Sequence, residues 1–141
     1  MATLTATKIQ SFIEAVYEKK HNLSSDSLKV YLTNATPIAS ASNVKADVAE
    51  ISGGNGYTAG GIAVTVTSSS QTGGTYSLAV SVDTTLTATG AGVGPYQYAV
   101  LYNDTATNKE LIAFWNFGSA ITLASGDTHR IQLASPLISA S

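Results

Sequence analysis

The chain has 141 residues and a mass of 14.5 kDa, the size of one domain. It carries 7 basic and 9 acidic residues, for a net charge of −2, and no cysteine. That excludes a disulfide framework, a thiolate metal site or nucleophile, and an electrostatic nucleic-acid binder, which needs clustered Lys and Arg. Ser and Thr together number 35 and Gly 12, a profile of strands and tight turns.

Residues 1–6 read as a small polar arm that includes Thr3, Leu4 and Thr5. No positive segment is followed by an apolar one, so no targeting peptide is expected, and no apolar run approaches a membrane span. The sequence predicts synthesis in a cytoplasm-like compartment. Three glycosylation-type triplets, at Asn22, Asn34 and Asn103, read as chance in an Asn- and Thr-rich chain.

Ile9, Phe12, Ile13, Val16 and Tyr17 recur at helical spacing. They predict a helix over 8–21, capped by Thr7, with Ile9, Phe12, Ile13 and Val16 buried. The period then changes to two. Leu28–Thr33 reads as a strand, 34–43 as a loop, and 44–51 as a short strand or a turn of helix. Gly53–Gly56 and Gly60–Gly61 mark turns. Ile62, Val64 and Val66 alternate, as do Tyr76, Leu78, Val80 and Val82, with a hairpin loop over 69–74. Leu86 and Ala88 predict a short strand. Tyr96, Tyr98, Val100 and Tyr102 are expected on one face, and Leu111, Ala113, Trp115 and Phe117 on one face of the next strand. Ile112 and Phe114 lie opposite, so that strand is buried twice or covered by a partner. Residues 121–123 and 129–133 add strands, and Pro136 precedes a tail over 135–141 that contains Leu137 and Ile138.

Short strands with frequent turn signals predict a mainly β chain: an antiparallel β-sandwich, jelly-roll-like, with one N-terminal α-helix. The division is a 1–6 arm, an 8–21 helix, a 28–134 sandwich and a 135–141 tail.

Little in the sequence points to chemistry. The glycine-rich stretches lack the Lys-Ser/Thr ending and following helix of a phosphate loop. His21 and His129 have no partner at metal-ligand spacing, and no cofactor or metal is expected. There is no Gly-x-Ser-x-Gly elbow. Asp83, Asp104, Glu110 and Asp127 sit at turns or strand ends, where solvated carboxylates are ordinary. The reading is of a protein that is not an enzyme. Tyr96, Tyr98, Tyr102 and Trp115 form an aromatic stripe that serves either as core or as a protein interface, since its only interleaved base is Lys109.

Leu28-Lys-Val-Tyr-Leu-Thr-Asn34, Val44-Lys-Ala-Asp47, Gly54-Asn-Gly-Tyr-Thr-Ala-Gly-Gly61 and the run from Gly94 to Asn108 resemble a family of small tailed-bacteriophage structural proteins, specifically capsid decoration, or cement, proteins. The Phe12-Ile13 segment with Lys19 and His21-Asn22-Leu23 belongs to the same pattern. The resemblance covers about 10–133; Ser135–Ser141 has no counterpart in it. It implies a virion protein on the outer capsid surface, made in the host cytoplasm, that binds the major capsid protein and stabilises its lattice. It implies no catalytic residue.

Other classes stay open: a tail-tube, head-completion or fibre-associated phage protein, or a carbohydrate-binding sandwich. Contact with membrane or nucleic acid is not expected. A homo-oligomer is, with a dimer ahead of a trimer, because Ile112 or Phe114 needs cover. Both ends are candidate partner-binding arms through strand addition: Thr3, Leu4 and Thr5 at one end, Leu137 and Ile138 at the other.

Overall fold

The computed structural model describes residues 6–134 and 138–140. Nine strands form two antiparallel sheets. They are β1 (Thr7–Lys8), β2 (Leu28–Thr33), β3 (Ile62–Ala63), β4 (Thr65–Thr72), β5 (Thr75–Thr87), β6 (Val93–Asn103), β7 (Leu111–Leu123), β8 (Thr128–Ala134) and β9 (Ile138–Ala140). One sheet has the order β1-β7-β6-β2-β3. In the other, β4 lies on one side of β5, while β8 and β9 lie along its opposite side in succession. The mainly β, two-sheet, one-helix expectation holds; these strand orders do not establish jelly-roll connectivity.

The sheets meet through alternating side chains. Val30, Leu32, Leu101 and Trp115 of the first share one buried cluster with Leu78, Val80, Val82, Ile131 and Leu133 of the second. The 62–66 alternation spans a change of sheet, since β3 pairs with β2 and β4 pairs with β5. Gly61 makes the approach to β3 possible. Its φ is +94°, and a Cβ there would sit 2.1 Å from the Val30 carbonyl oxygen.

Several expectations change. The helix α1 spans only Ser11–Tyr17. Thr7 lies in β1 and caps nothing, and Lys19, at φ 64°, closes the helix end. Phe12 and Ala15 are buried and Ile13 is half-buried, but Val16 is 37% exposed. Ile9 is buried in the extended segment before the helix. Of the two alternatives for 44–51, the turn of helix is the one formed, a 3-10 turn at Lys45–Asp47. The 69–74 hairpin loop shrinks to Gly73 and Gly74, and the strands expected at 86–88 and 121–123 are the ends of β5 and β7.

Tyr96, Tyr98, Val100 and Tyr102 do not share one face. The β6–β7 register shifts between Tyr96 and Tyr98. Such an irregularity resets which side of the sheet a position faces. Tyr96 therefore packs in the inter-sheet core, whereas Val100 and Tyr102 join a second cluster with Ile9, Tyr31, Val48 and Leu111.

That second cluster covers part of the apolar surface on which a dimer was expected. Ile112 is fully buried in the inter-sheet core, and Phe114 packs on the outer cluster. The second sheet covers Ile112, and Phe114, half-buried, packs against the cluster of Ile9 and Val48.

The 44–61 segment is clamped to the sheet. The Lys45 ammonium sits 4.7 Å from the Tyr31 ring centre and 5.6 Å from that of Tyr102. It pairs with Glu50 at 2.8 Å. Tyr57 donates to Glu50 at 2.7 Å and accepts the Leu32 N–H at 3.0 Å, and the Tyr102 hydroxyl donates to the Gly60 carbonyl at 2.5 Å. Burial pushes the Glu50 carboxyl up, but Lys45, Tyr57 and the Gly60 N–H outweigh it and hold the group below its ordinary value.

Candidate functional site

The polar end of the first sheet, where α1 returns toward β2 and the β6–β7 turn, gathers the residues with unmet chemistry. Asn103 closes β6 and is fully buried. Its side-chain oxygen accepts the N–H groups of Thr105 and Ala106 at 2.9 and 3.1 Å, which shapes the turn into β7. Its amide nitrogen donates to His21 Nδ1 at 3.0 Å and to Asp26 Oδ2 at 2.6 Å. Asp26 Oδ2 also accepts the Asn22 N–H at 2.7 Å.

Accepting at Nδ1 places the neutral His21 proton on Nε2. That nitrogen is buried and meets no acceptor among the described residues. The ring packs on Phe12 with centres 5.3 Å apart. Burial lowers the His21 pKa; Glu110 and Asp26 oppose that shift, and Lys20 adds to it.

Glu110 lies beside this network, and Asn103 donates its backbone N–H to the Glu110 carbonyl at 3.0 Å. The Glu110 side chain is not the solvated carboxylate expected of a strand end. The residue is 7% exposed, and Oε2 is buried without a donor among the described residues. Two cavities of about 460 Å³ each flank it. Gln10, Ser11, Glu14 and Asn43 line one; Lys19, Asn22, Asp26 and Thr107 line the other; Lys20, Asn108 and Glu110 are common to both. Lys20 pairs instead with Glu18 at 2.9 Å.

The other carboxylates behave as expected. Asp83 takes a two-pronged contact from Arg130 at 2.9 and 2.8 Å, Asp104 pairs with Lys109 at 2.8 Å, and Asp127 accepts the Ala124 N–H at 3.0 Å. His129 is half-buried, bonded through Nδ1 to the Tyr96 hydroxyl at 2.6 Å and edge-on to Phe117. No group of three His, Asp or Glu side chains converges for a metal among the described residues, and none of the described helices is long and apolar enough to cross a membrane.

The aromatic stripe is core. Tyr96 and Trp115 are 0% exposed, Tyr102 1% and Tyr98 8%. As partner-binding side chains they are corrected, because their ring surfaces are already covered by the domain itself. Burial raises the Tyr96 and Tyr102 hydroxyls to about 12, so neither ionises at neutral pH. Thr3, Leu4, Thr5 and Leu137 lie outside the described residues. Ile138 belongs to β9, whose backbone pairs with Leu78 of the chain's own β5 rather than standing free.

No motif marks Asn103 and Glu110 as a pair. Their only signal is position: a polar residue ending one apolar strand and a carboxyl starting the next, across a short turn. Comparison with protein-family models, curated proteins and solved structures finds no match.

Proposed function

We propose that the chain is a non-enzymatic structural protein of a phage head that binds the outer capsid surface and stabilises the lattice of the major capsid protein. One observation supports this reading most. The four sequence blocks that carry the resemblance to decoration proteins are scattered along the chain but meet in space. Tyr31 and Leu32, Lys45, Tyr57 and Gly60, and Tyr102 come one from each block and contact one another in the Lys45 clamp. Blocks that build one shared structural unit are what a common fold would hold together.

The physics is mass action. A protein that binds the mature lattice better than its dissociated or immature form stabilises it by that difference, and many weak sites on one shell add together. Assembly as a dimer on a lattice two-fold stays part of the reading on symmetry grounds. Sedimentation of the free protein and of decorated heads tests it.

The stoichiometry of the chain in purified virions tests the whole reading. An abundance close to that of the major capsid protein supports a decoration role. A few copies per particle shifts the role to the tail, neck or fibres. Absence from virions, with binding to arrayed glycans, overturns it in favour of a carbohydrate-binding module.

A further inference from the structure

We propose that the cleft around Glu110 is a receptor site for an organic cation, a guanidinium group on an arginine side chain being the best fit. The starting point is an unbalanced group. A buried carboxyl oxygen without a donor is costly, and the cost is removed when a donor arrives. Glu110 is 7% exposed, Oε2 has no donor among the described residues, and the residue forms the wall common to two open cavities. Its negative charge is felt by both His21 and Lys20.

The lining specifies the ligand's chemistry. Near Glu110 are the Glu14 carboxyl, the Asn43 and Asn108 side-chain amides and the Ser11 hydroxyl, all able to accept hydrogen bonds. Of the two ammonium groups on the lining, Lys20, common to both cavities, is engaged by Glu18, and Lys19 lies on the second cavity alone, so the first, with Glu14 and Asn43, is the one that suits a cation. A guanidinium offers five donors in a fixed plane and is weakly hydrated, so it can serve several acceptors at once as it is desolvated. An ammonium offers fewer donors and is harder to strip of water. Each cavity, at about 460 Å³, is roomy enough for the aliphatic stem as well as the head. The same chemistry is presented by an arginine within a protein partner and by free arginine. This inference does not depend on the capsid reading.

The test is titration of the full chain, followed by amide NMR shifts, with three probes: N-acetyl-arginine N-methylamide, free L-arginine, and the blocked citrulline that replaces the guanidinium by a neutral urea. Saturable shifts at Lys20, Asn43, Asn108 and Glu110 are expected with arginine, and none with citrulline. Glu110→Gln should weaken binding by about tenfold or more, as loss of a charge-assisted bond does. Tighter binding of the blocked form points to a partner's side chain, and tighter binding of free arginine to a small-molecule ligand; both support the site. Absence of saturation, an equal response to citrulline, or unchanged binding by Glu110→Gln overturns the proposal. Should Glu110→Gln fail to fold, the arginine-against-citrulline contrast on the unmodified chain decides it alone.

Discussion

The Tyr57 hydroxyl accepts the backbone N–H of Leu32, the next-to-last residue of β2, at 3.0 Å. A side chain from an irregular segment thus supplies the acceptor that a neighbouring strand would otherwise provide. The same hydroxyl donates to Glu50 at 2.7 Å, and burial drives its pKa far above the ordinary tyrosine value. The hydroxyl therefore stays protonated, donating one way and accepting the other.

Tyr57→Phe should cost about 1–3 kcal/mol, the penalty for a buried donor left without a partner. Urea unfolding measures it. A loss close to zero would mean that the Leu32 N–H finds another acceptor.

Phe12 and Val16 separate the observed helix from the predicted one. Phe12→Ala should cost about 3–5 kcal/mol, because the ring is 1% exposed. Val16→Ala should cost less than about 0.5 kcal/mol, in the range of surface changes. Equal losses at the two sites would contradict the helix orientation.

Stability should fall as the solution is acidified below the ordinary histidine value of 6.5. Burial lowers the pKa of both His21 and His129 in the folded chain. The unfolded chain then binds more protons than the folded one between the folded and unfolded values, so the free energy of unfolding, and with it stability, rises with pH across that window. The groups around His21 pull in both directions, Asp26 and Glu110 favouring the charged ring and Lys20 opposing it. Thermal melts from pH 7.5 down to about 5, where histidine titration dominates, should show a steady decline that His21→Gln and His129→Gln each reduce. An unaltered slope in the double variant would assign the effect to other groups.

Removal of residues 136–141 should destabilise the free protein by about 1–3 kcal/mol, since it deletes the strand that pairs with Tyr76, Ser77 and Leu78. An arm that served only a partner would leave the melting temperature unchanged and lower head occupancy instead.

The alternating runs made the β architecture legible, because half-buried strands write period two into the chain. Val80 falls on such an alternation, and Phe12 could be placed inside on its helical spacing, whereas the stripe containing Trp115 fitted either core or an interface. What periodicity does not carry is a change of phase. The irregularity between Tyr96 and Tyr98 moves Tyr96 to the opposite side of the sheet from Val100 and Tyr102, and nothing in the residue types announces it. The helix is shorter than its periodicity predicts for a related reason: Ile9 fits helical spacing but is buried from the segment before it. Glu110 departs from expectation because a carboxyl at a strand end is normally wet. It is largely buried here because α1 and the 38–44 segment come up beside it as the walls of a cleft, a tertiary fact. The outer cluster was invisible too, since its lid, Val48, sits in a segment without clear period.

The position of β5 between β4 and β8 bears on synthesis. β4 is adjacent in sequence and can pair with β5 as soon as both leave the ribosome. The opposite side of β5 must wait until β6 and β7 have been translated and β8 follows. For that interval the nascent chain carries a thirteen-residue strand with one unsatisfied edge. Its outward positions, apart from the small Ala79, are hydroxylated or charged (Thr75, Ser77, Ser81, Asp83, Thr85 and Thr87), a composition that slows edge-to-edge sticking between neighbouring nascent chains. The serine- and threonine-rich make-up of this strand therefore protects an intermediate of translation as well as the finished surface.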